Sequence, residues 1–192
     1  IVMKRRDNAP IVKYVFGNII EQIMANYSID RIQTWLKSTL QDIIDGKFSI
    51  NYFIITKSLN SSYANPNSIA HKVLADRIGK IDPGKKPKAG DRIPFIYKVI
   101  EEYEQNGFEI ITEKLQVGTY KNGKPKFKTC KRQGNPKYKK KKLYPGDRLE
   151  HPEFMKDTDR IDYKFYISNQ IMNPVKQVLD LKGNTHIFEQ FI

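Results

Sequence analysis

The sequence is poor in the residues that build most catalytic centres. One cysteine, Cys130, and three histidines, His71, His151 and His186, stand among 192 residues. A lone cysteine excludes an internal disulfide, and a structural zinc site finds too few well-spaced donors. Such cysteine usage goes with a reducing, intracellular setting. No Ser/His/Asp or Cys/His constellation assembles from these histidines, and no Gly-rich phosphate loop precedes a helix. No apolar run approaches the roughly eighteen residues that a membrane span needs, so no membrane partner is expected. The first residues lack the apolar region and cleavage pattern of a signal peptide.

Acid is missing from one place in particular. The chain carries 34 Lys and Arg against 21 Asp and Glu. Residues 121–142, "KNGKPKFKTCKRQGNPKYKKKK", hold eleven of those cations and no carboxylate, which leaves 23 cations against 21 anions elsewhere. This is a nearly balanced domain with one strongly cationic segment. Lys121, Lys124, Lys126, Lys128, Lys131, Arg132, Lys137, Lys139, Lys140, Lys141 and Lys142 are therefore candidate phosphate contacts. Phe127, Tyr138 and Tyr144 lie among them and can stack on bases or pack a groove wall. The plainer reading is a solubilising loop. No zinc finger or helix-turn-helix pattern is present, so nothing points to reading of a specific base sequence.

What is present is mostly helical periodicity. Apolar residues at 11, 12, 15, 16, 19, 20, 23 and 24 make one stripe, with Pro10 suited to the first turn. Ser28 opens a second helix that Gly46 stops, and the short link "NYS" predicts an antiparallel pair. "INYFIITKSL" (50–59) and "RIPFIYKVI" read as short strands or extended segments. Between them "NPNSIAHKVLADRIGKIDPG" reads as a third helix with an apolar face at Ile69, Val73, Leu74, Ile78 and Ile81. The Gly/Pro-rich "DPGKKPKAGD" reads as a loop. A hairpin is expected around "KNGK", with Asn122-Gly123 in a primed turn. A last helix runs from Asp162 to Asn173, and Pro174 should break it or start another. Helix dominates, with minor β.

Two stretches invite overinterpretation. "KDTDR" places Asp157 and Asp159 at a spacing that can hold two metal ions on a strand. Here it follows a Pro-rich loop and precedes a helix, so the expected role is charge at a helix N-terminus. His71, beside the apolar stripe of the third helix, reads as a structural hydrogen-bonding group. No catalytic residue and no metal ligand is assigned.

Five stretches, in order, resemble family B DNA polymerases. "VMKRRDNAPIVKYV" resembles the segment that leaves the palm, and "FIITKSL" the Ile-Thr-Lys-x-Leu segment after it. "AHKVLADRI" and "GDRIPFIY" resemble the next two landmarks, and "IDYKFYISNQIMNPVKQVL" the terminal helices of the thumb. The resemblance is strongest to delta-like enzymes, including those of large DNA viruses, and mainly residues 101–150 have no counterpart.

The resemblance implies a piece of a longer chain, which fits the opening "IVMKRRDNAP", where Met is third and the apolar run reads as the tail of a strand. Residues 1–10 would be the palm edge and 11–192 the thumb, with a basic insertion at about 101–150. The expected fold class is mainly α (α+β): a helical thumb-type domain with short strands and an inserted basic hairpin. Such a domain grips primer–template duplex DNA through phosphates and the minor groove, and the rest of the polymerase chain and replication accessory proteins are its other partners. Lys4, Arg5, Arg6, Lys57 and Arg92 become candidate DNA contacts. Tyr163, Tyr166 and Asn169 on the last helix fit core and internal hydrogen bonding better. The family's Tyr-Gly-Asp-Thr-Asp-Ser segment is not found, so this piece is expected to be inactive alone and without a cofactor; Mg2+ would serve the parent. The competing classes are a free-standing basic nucleic-acid-binding module and a module whose basic loop docks an acidic protein.

Overall fold

The structure, a computed structural model, describes residues 7–180 and 186–191. Helix α1 spans Pro10–Met24 and buries Ile11, Val12, Val15, Phe16 and Ile19. Its stripe frays at the end, where Met24 is exposed. The chain then reverses through Asn26, which takes φ 57°. Tyr27 N–H donates to the Gln22 carbonyl and Asn26 N–H to that of Ile23, so two otherwise orphaned carbonyls are satisfied. Helix α2 (Ile29–Ile44) is capped by Ser28, whose hydroxyl accepts from Arg31 N–H at 3.4 Å. It ends at Gly46, where φ is +71° and any other residue would be strained. The two helices pack against each other through α1's stripe and Ile32, Leu36, Leu40 and Ile43 of α2.

The segment 50–59 is less of a strand than its composition suggests. Ile50–Phe53 forms a 3-10 turn, and only Ile55–Ser58 is β1. Helix α3 (Ala70–Ile81) buries Leu74, Ala75 and Ile78 and leaves Ile81 exposed. Strand β2 (Arg92–Tyr97) is the centre of a three-stranded antiparallel sheet ordered β1-β2-β5, with β5 at Leu149–Glu150. Ile55 lies opposite Phe95 and Lys57 opposite Ile93.

The last helical stretch runs as one turn α4 (Tyr163–Phe165), a π segment (Tyr166–Ile171) and α5 (Met172–Asp180). Pro174 therefore lies inside α5. In a regular α-helix its ring would collide with the carbonyl four residues back, that of Gln170, and the widened π turn lies just ahead of it. Tyr166 is fully buried in this segment. Its hydroxyl donates to the Phe53 carbonyl at 2.6 Å and accepts from Tyr97 N–H at 3.0 Å. Burial pushes its phenol well above the usual value, so the hydroxyl stays protonated. One side chain thus ties the 3-10 turn, the central strand and the last helix together.

Residues 101–143 form a second compact unit, distinct from the body made by the rest. It is a two-stranded ribbon, β3 (Tyr103–Thr119) paired with β4 (Pro125–Lys140). None of its residues is buried. Register shifts fall between Gln105 and Phe108, Phe108 and Ile110, and Gln116 and Gly118. At the tip only Gly123 takes positive φ (+80°), so the connection is not the primed turn expected of Asn122-Gly123, which needs both residues left-handed. Instead Gly123 N–H donates to the Tyr120 carbonyl and Tyr120 N–H to that of Lys124.

The ribbon also overturns the expected fold class. With strands of 17 and 16 residues beside the three-stranded sheet, the chain is α+β and not mainly α. The hairpin expected around "KNGK" is present, but its strands run longer than the sequence announces, because clean alternation arises only where one face is buried. Among the described residues no helix is long and apolar enough to cross a membrane.

Candidate nucleic-acid interface

Of the expected DNA contacts, Lys4, Arg5 and Arg6 lie outside the described residues. Lys57 and Arg92 sit on neighbouring strands but face opposite ways. Arg92 pairs directly with Ser58, so the alternation of the pleat puts Lys57 on the other side, with Ile93. Arg92 is engaged at home. Its guanidinium donates to the Thr56 carbonyl at 2.7 Å, to Thr56 Oγ1 and to Ser58 Oγ, and it lies 3.6 Å from Asp7. It stitches β2 to β1. Asp91 does not pair with it; the Asp91 carboxylate accepts from Lys88 N–H in the preceding turn.

Lys57 is half-buried and pairs with no carboxylate among the described residues. Its neighbour is His71 on α3. Burial, and after it the charge of Lys57, hold the His71 imidazole below its usual pKa. The ring nitrogen Nε2 lies 3.4 Å from the Tyr63 hydroxyl. His71 is the structural hydrogen-bonding group that its position suggests.

A further group of lysines is not among the candidates that the sequence singles out. Lys72, Lys86 and Lys88 line a cavity of about 430 Å³ with Asn60 and Ser61. Asp76 holds Lys72 at 2.6 Å and Lys86 at 3.7 Å. The signal for Lys86 and Lys88 is the lysine-rich "GKKPK", which reads on its own as a plain loop, and Lys72 lies on α3.

On the ribbon, strand pairing brings Glu113 and Glu104 of β3 against cations of β4, and Glu101, ahead of β3, lies near Lys141, just past β4. Arg132 lies 2.9 Å from Glu113, Lys139 3.2 Å from Glu104, and Lys141 4.0 Å from Glu101. Lys126 lies over the Tyr120 ring. The acid-free run of residues 121–142 is thus not acid-free in space.

Asp157 and Asp159 do not form a metal pair. Asp159 accepts from Lys156 N–H at 3.0 Å and lies 3.3 Å from Lys98 Nζ, both of which hold its carboxyl below the usual range. Nor do these acids serve a helix N-terminus, as expected from sequence: Asp162 is the cap there, accepting from Phe165 N–H at 3.1 Å. Lys98 also meets Glu150 at 3.3 Å, and Glu150 meets Arg77 at 3.6 Å. Arg77 in turn donates to the carbonyls of Gly146 and Leu149. This half-buried network spends Asp159 on structure, and the carboxylates here do not fit a two-metal site.

The chain belongs to DNA polymerase family B, whose description it matches over residues 1–182. It is 40% identical over its whole length to the DNA polymerase of Acanthamoeba polyphaga mimivirus, covering 9% of that protein. It is 37% identical over 94% of its length to the DNA polymerase of Pyramimonas orientalis virus, covering 12%. The delta catalytic subunit of Schizosaccharomyces pombe is 32% identical over 48% of this chain, which covers 8% of that subunit. The chain therefore spans about a tenth of the length of the relatives it matches. In fold it is similar to the family B DNA polymerase of the hyperthermophilic archaeon Pyrobaculum calidifontis, with a TM-score of 0.57 over 93% of this chain and 18% of the other, at 16% identity.

Proposed function

We propose that the chain is the part of a family B DNA polymerase that closes on the newly made primer–template duplex. Residues 11–192 form the thumb, residues 1–10 the edge of the palm, and the ribbon is an insertion in the thumb. The palm, the duplex and replication accessory proteins are its partners. The grip runs through backbone phosphates and the minor groove, because a replicative enzyme must pass over any sequence. Lys4, Arg5, Arg6 and Lys57 serve the body's side of that grip, and Arg92 holds the strand that carries Lys57. Nucleotidyl transfer on Mg2+ belongs to carboxylates elsewhere in the parent, and this piece does not polymerise by itself.

The observation that carries the reading is the ribbon, in a chain of this family. In residues 101–143 twelve Lys and Arg stand against five Glu, a net of +7, on a unit with no buried residue. A structure that folds around no core and carries this charge fits an anionic polymer. The test is binding to a fluorescent duplex of about 30 base pairs against salt, for the 192-residue chain and for one lacking residues 121–142. The deletion should make the log–log salt slope shallower by about 4 to 5 units, since each phosphate contact contributes about 0.9. An unchanged slope, or an intact chain that ignores duplex in dilute buffer, contradicts the reading.

A further inference from the structure

The charge of the ribbon is not spread along it. Residues 114–131, the outer half with its loop, contain six lysines (Lys114, Lys121, Lys124, Lys126, Lys128, Lys131) and no acid. The remaining part, residues 101–113 and 132–143, contains Arg132 and Lys137, Lys139, Lys140, Lys141 and Lys142 against five glutamates. The net of +7 therefore divides into +6 outside and +1 at the base. The Glu113–Arg132 pair marks the boundary. Below it, Glu104 lies against Lys139 and Glu101 against Lys141, two of the four lysines in the densest run, residues 139–142. Above it, none of the six lysines meets a carboxylate among the described residues.

The outer half also carries exposed apolar side chains. Tyr120, Phe127, Leu115 and Val117 are each more than half exposed. The ribbon itself does not bury them. Beside a duplex they have sugar and groove wall to pack against. The outer strands, six to seven residues long, extend about 20 Å at about 3.3 Å per residue. Duplex DNA presents a charge about every 1.7 Å of its axis, so that span faces about twelve phosphates. A two-stranded ribbon is also narrow enough for a major groove about 12 Å wide.

Resting on the function proposed above, we infer that the outer half of the ribbon is the duplex-contacting element, while the base is a charge-neutralised stalk. Its lysines pair with phosphates, its aromatic and aliphatic tips pack beside them, and the base contributes little because its five glutamates leave it a net charge of only +1. The partner is duplex DNA, met without regard to base sequence.

Two variants of equal charge change separate this from a merely basic insert. One carries Lys→Gln at Lys124, Lys126, Lys128 and Lys131; the other carries Lys→Gln at Lys139, Lys140, Lys141 and Lys142. Both are made in the 192-residue chain and measured on the same duplex against salt. The outer set should lose about 3 to 4 units of slope and about a hundredfold or more in affinity at about 0.1 M salt. The base set should lose less than about one unit and about threefold. A third variant, Glu104→Gln with Glu113→Gln, removes two neutralising acids and should steepen the slope by about one to two units, a gain that misfolding cannot produce. Equal losses in the two lysine sets, a larger loss in the base set, no loss in either, or no gain in the third variant each overturn the inference while the intact chain still binds. An intact chain that does not bind overturns the proposed function, and this inference with it.

Discussion

The body and the ribbon of this chain are held by different forces. The body closes on a core that runs from Ala9 to Phe191, and its central polar side chain, Tyr166, is fully satisfied there. The ribbon has no buried residue and rests on ladder hydrogen bonds and cross-strand ion pairs. Exposed pairs of this kind contribute at most about 1 kcal/mol each. A two-stranded hairpin on its own is marginal in water. The two regions are therefore constrained differently. In the body a side chain is fixed by what it packs against, whereas in the ribbon residues are free to be chosen for what they meet outside.

Substitutions sharpen that contrast, the largest effect first. Tyr166→Phe strands the Phe53 carbonyl and the Tyr97 N–H in the core, and should cost about 3 kcal/mol, or about 6–12 °C in Tm by calorimetry. Gly146→Ala comes next. Gly146 has φ +89°, and a Cβ there would lie 2.9 Å from the Ala70 carbonyl oxygen, so a loss of about 2 kcal/mol is expected. Ile110→Ala on the ribbon, 69% exposed in place, should change stability by no more than about 0.5 kcal/mol. Should that change cost as much as Tyr166→Phe, the ribbon would have a core after all and the contrast would fail.

The smallest effect is a titration. His71 is held below its ordinary value of 6.5, so the folded state favours the neutral ring and the unfolded chain binds the proton first. Stability from this group is full above about pH 6.5 and declines as pH falls below it. His71→Gln should flatten the acid side of a Tm-against-pH curve. The same ring reports on Lys57. A phosphate beside Lys57 offsets the charge that helps hold His71 down, so duplex binding should raise the His71 pKa in an NMR titration. A pKa that stays put with duplex bound would remove Lys57 from the grip.

The body is largely legible in the sequence because burial writes a period. The stripe of α1, the cap at Ser28 and the stop at Gly46 are all where the pattern puts them. Legibility fails where local signals compete. "INYF" has the β-branched and aromatic look of a strand but is a turn, because Phe53 must point inward and offer its carbonyl to Tyr166. Pro174 does mark a new start: it falls in the first turn of α5, just past the π segment that interrupts the regular helix. On the ribbon, the cations can be counted but not their partners. Which glutamate faces which lysine depends on register, and register depends on three irregularities that no alternation announces. Arg92 is legible as a cation beside an apolar segment, yet its hydrogen bonds to Thr56 and Ser58 require the strand pairing.

Whether this chain holds duplex DNA by its backbone charge is tested most directly by removing that charge from the DNA. Binding is compared for one duplex sequence with an ordinary phosphodiester backbone and with an uncharged methylphosphonate backbone, at about 0.1 M salt. A loss of about a hundredfold or more on the uncharged duplex is the predicted result. Equal affinity for the two duplexes would contradict it.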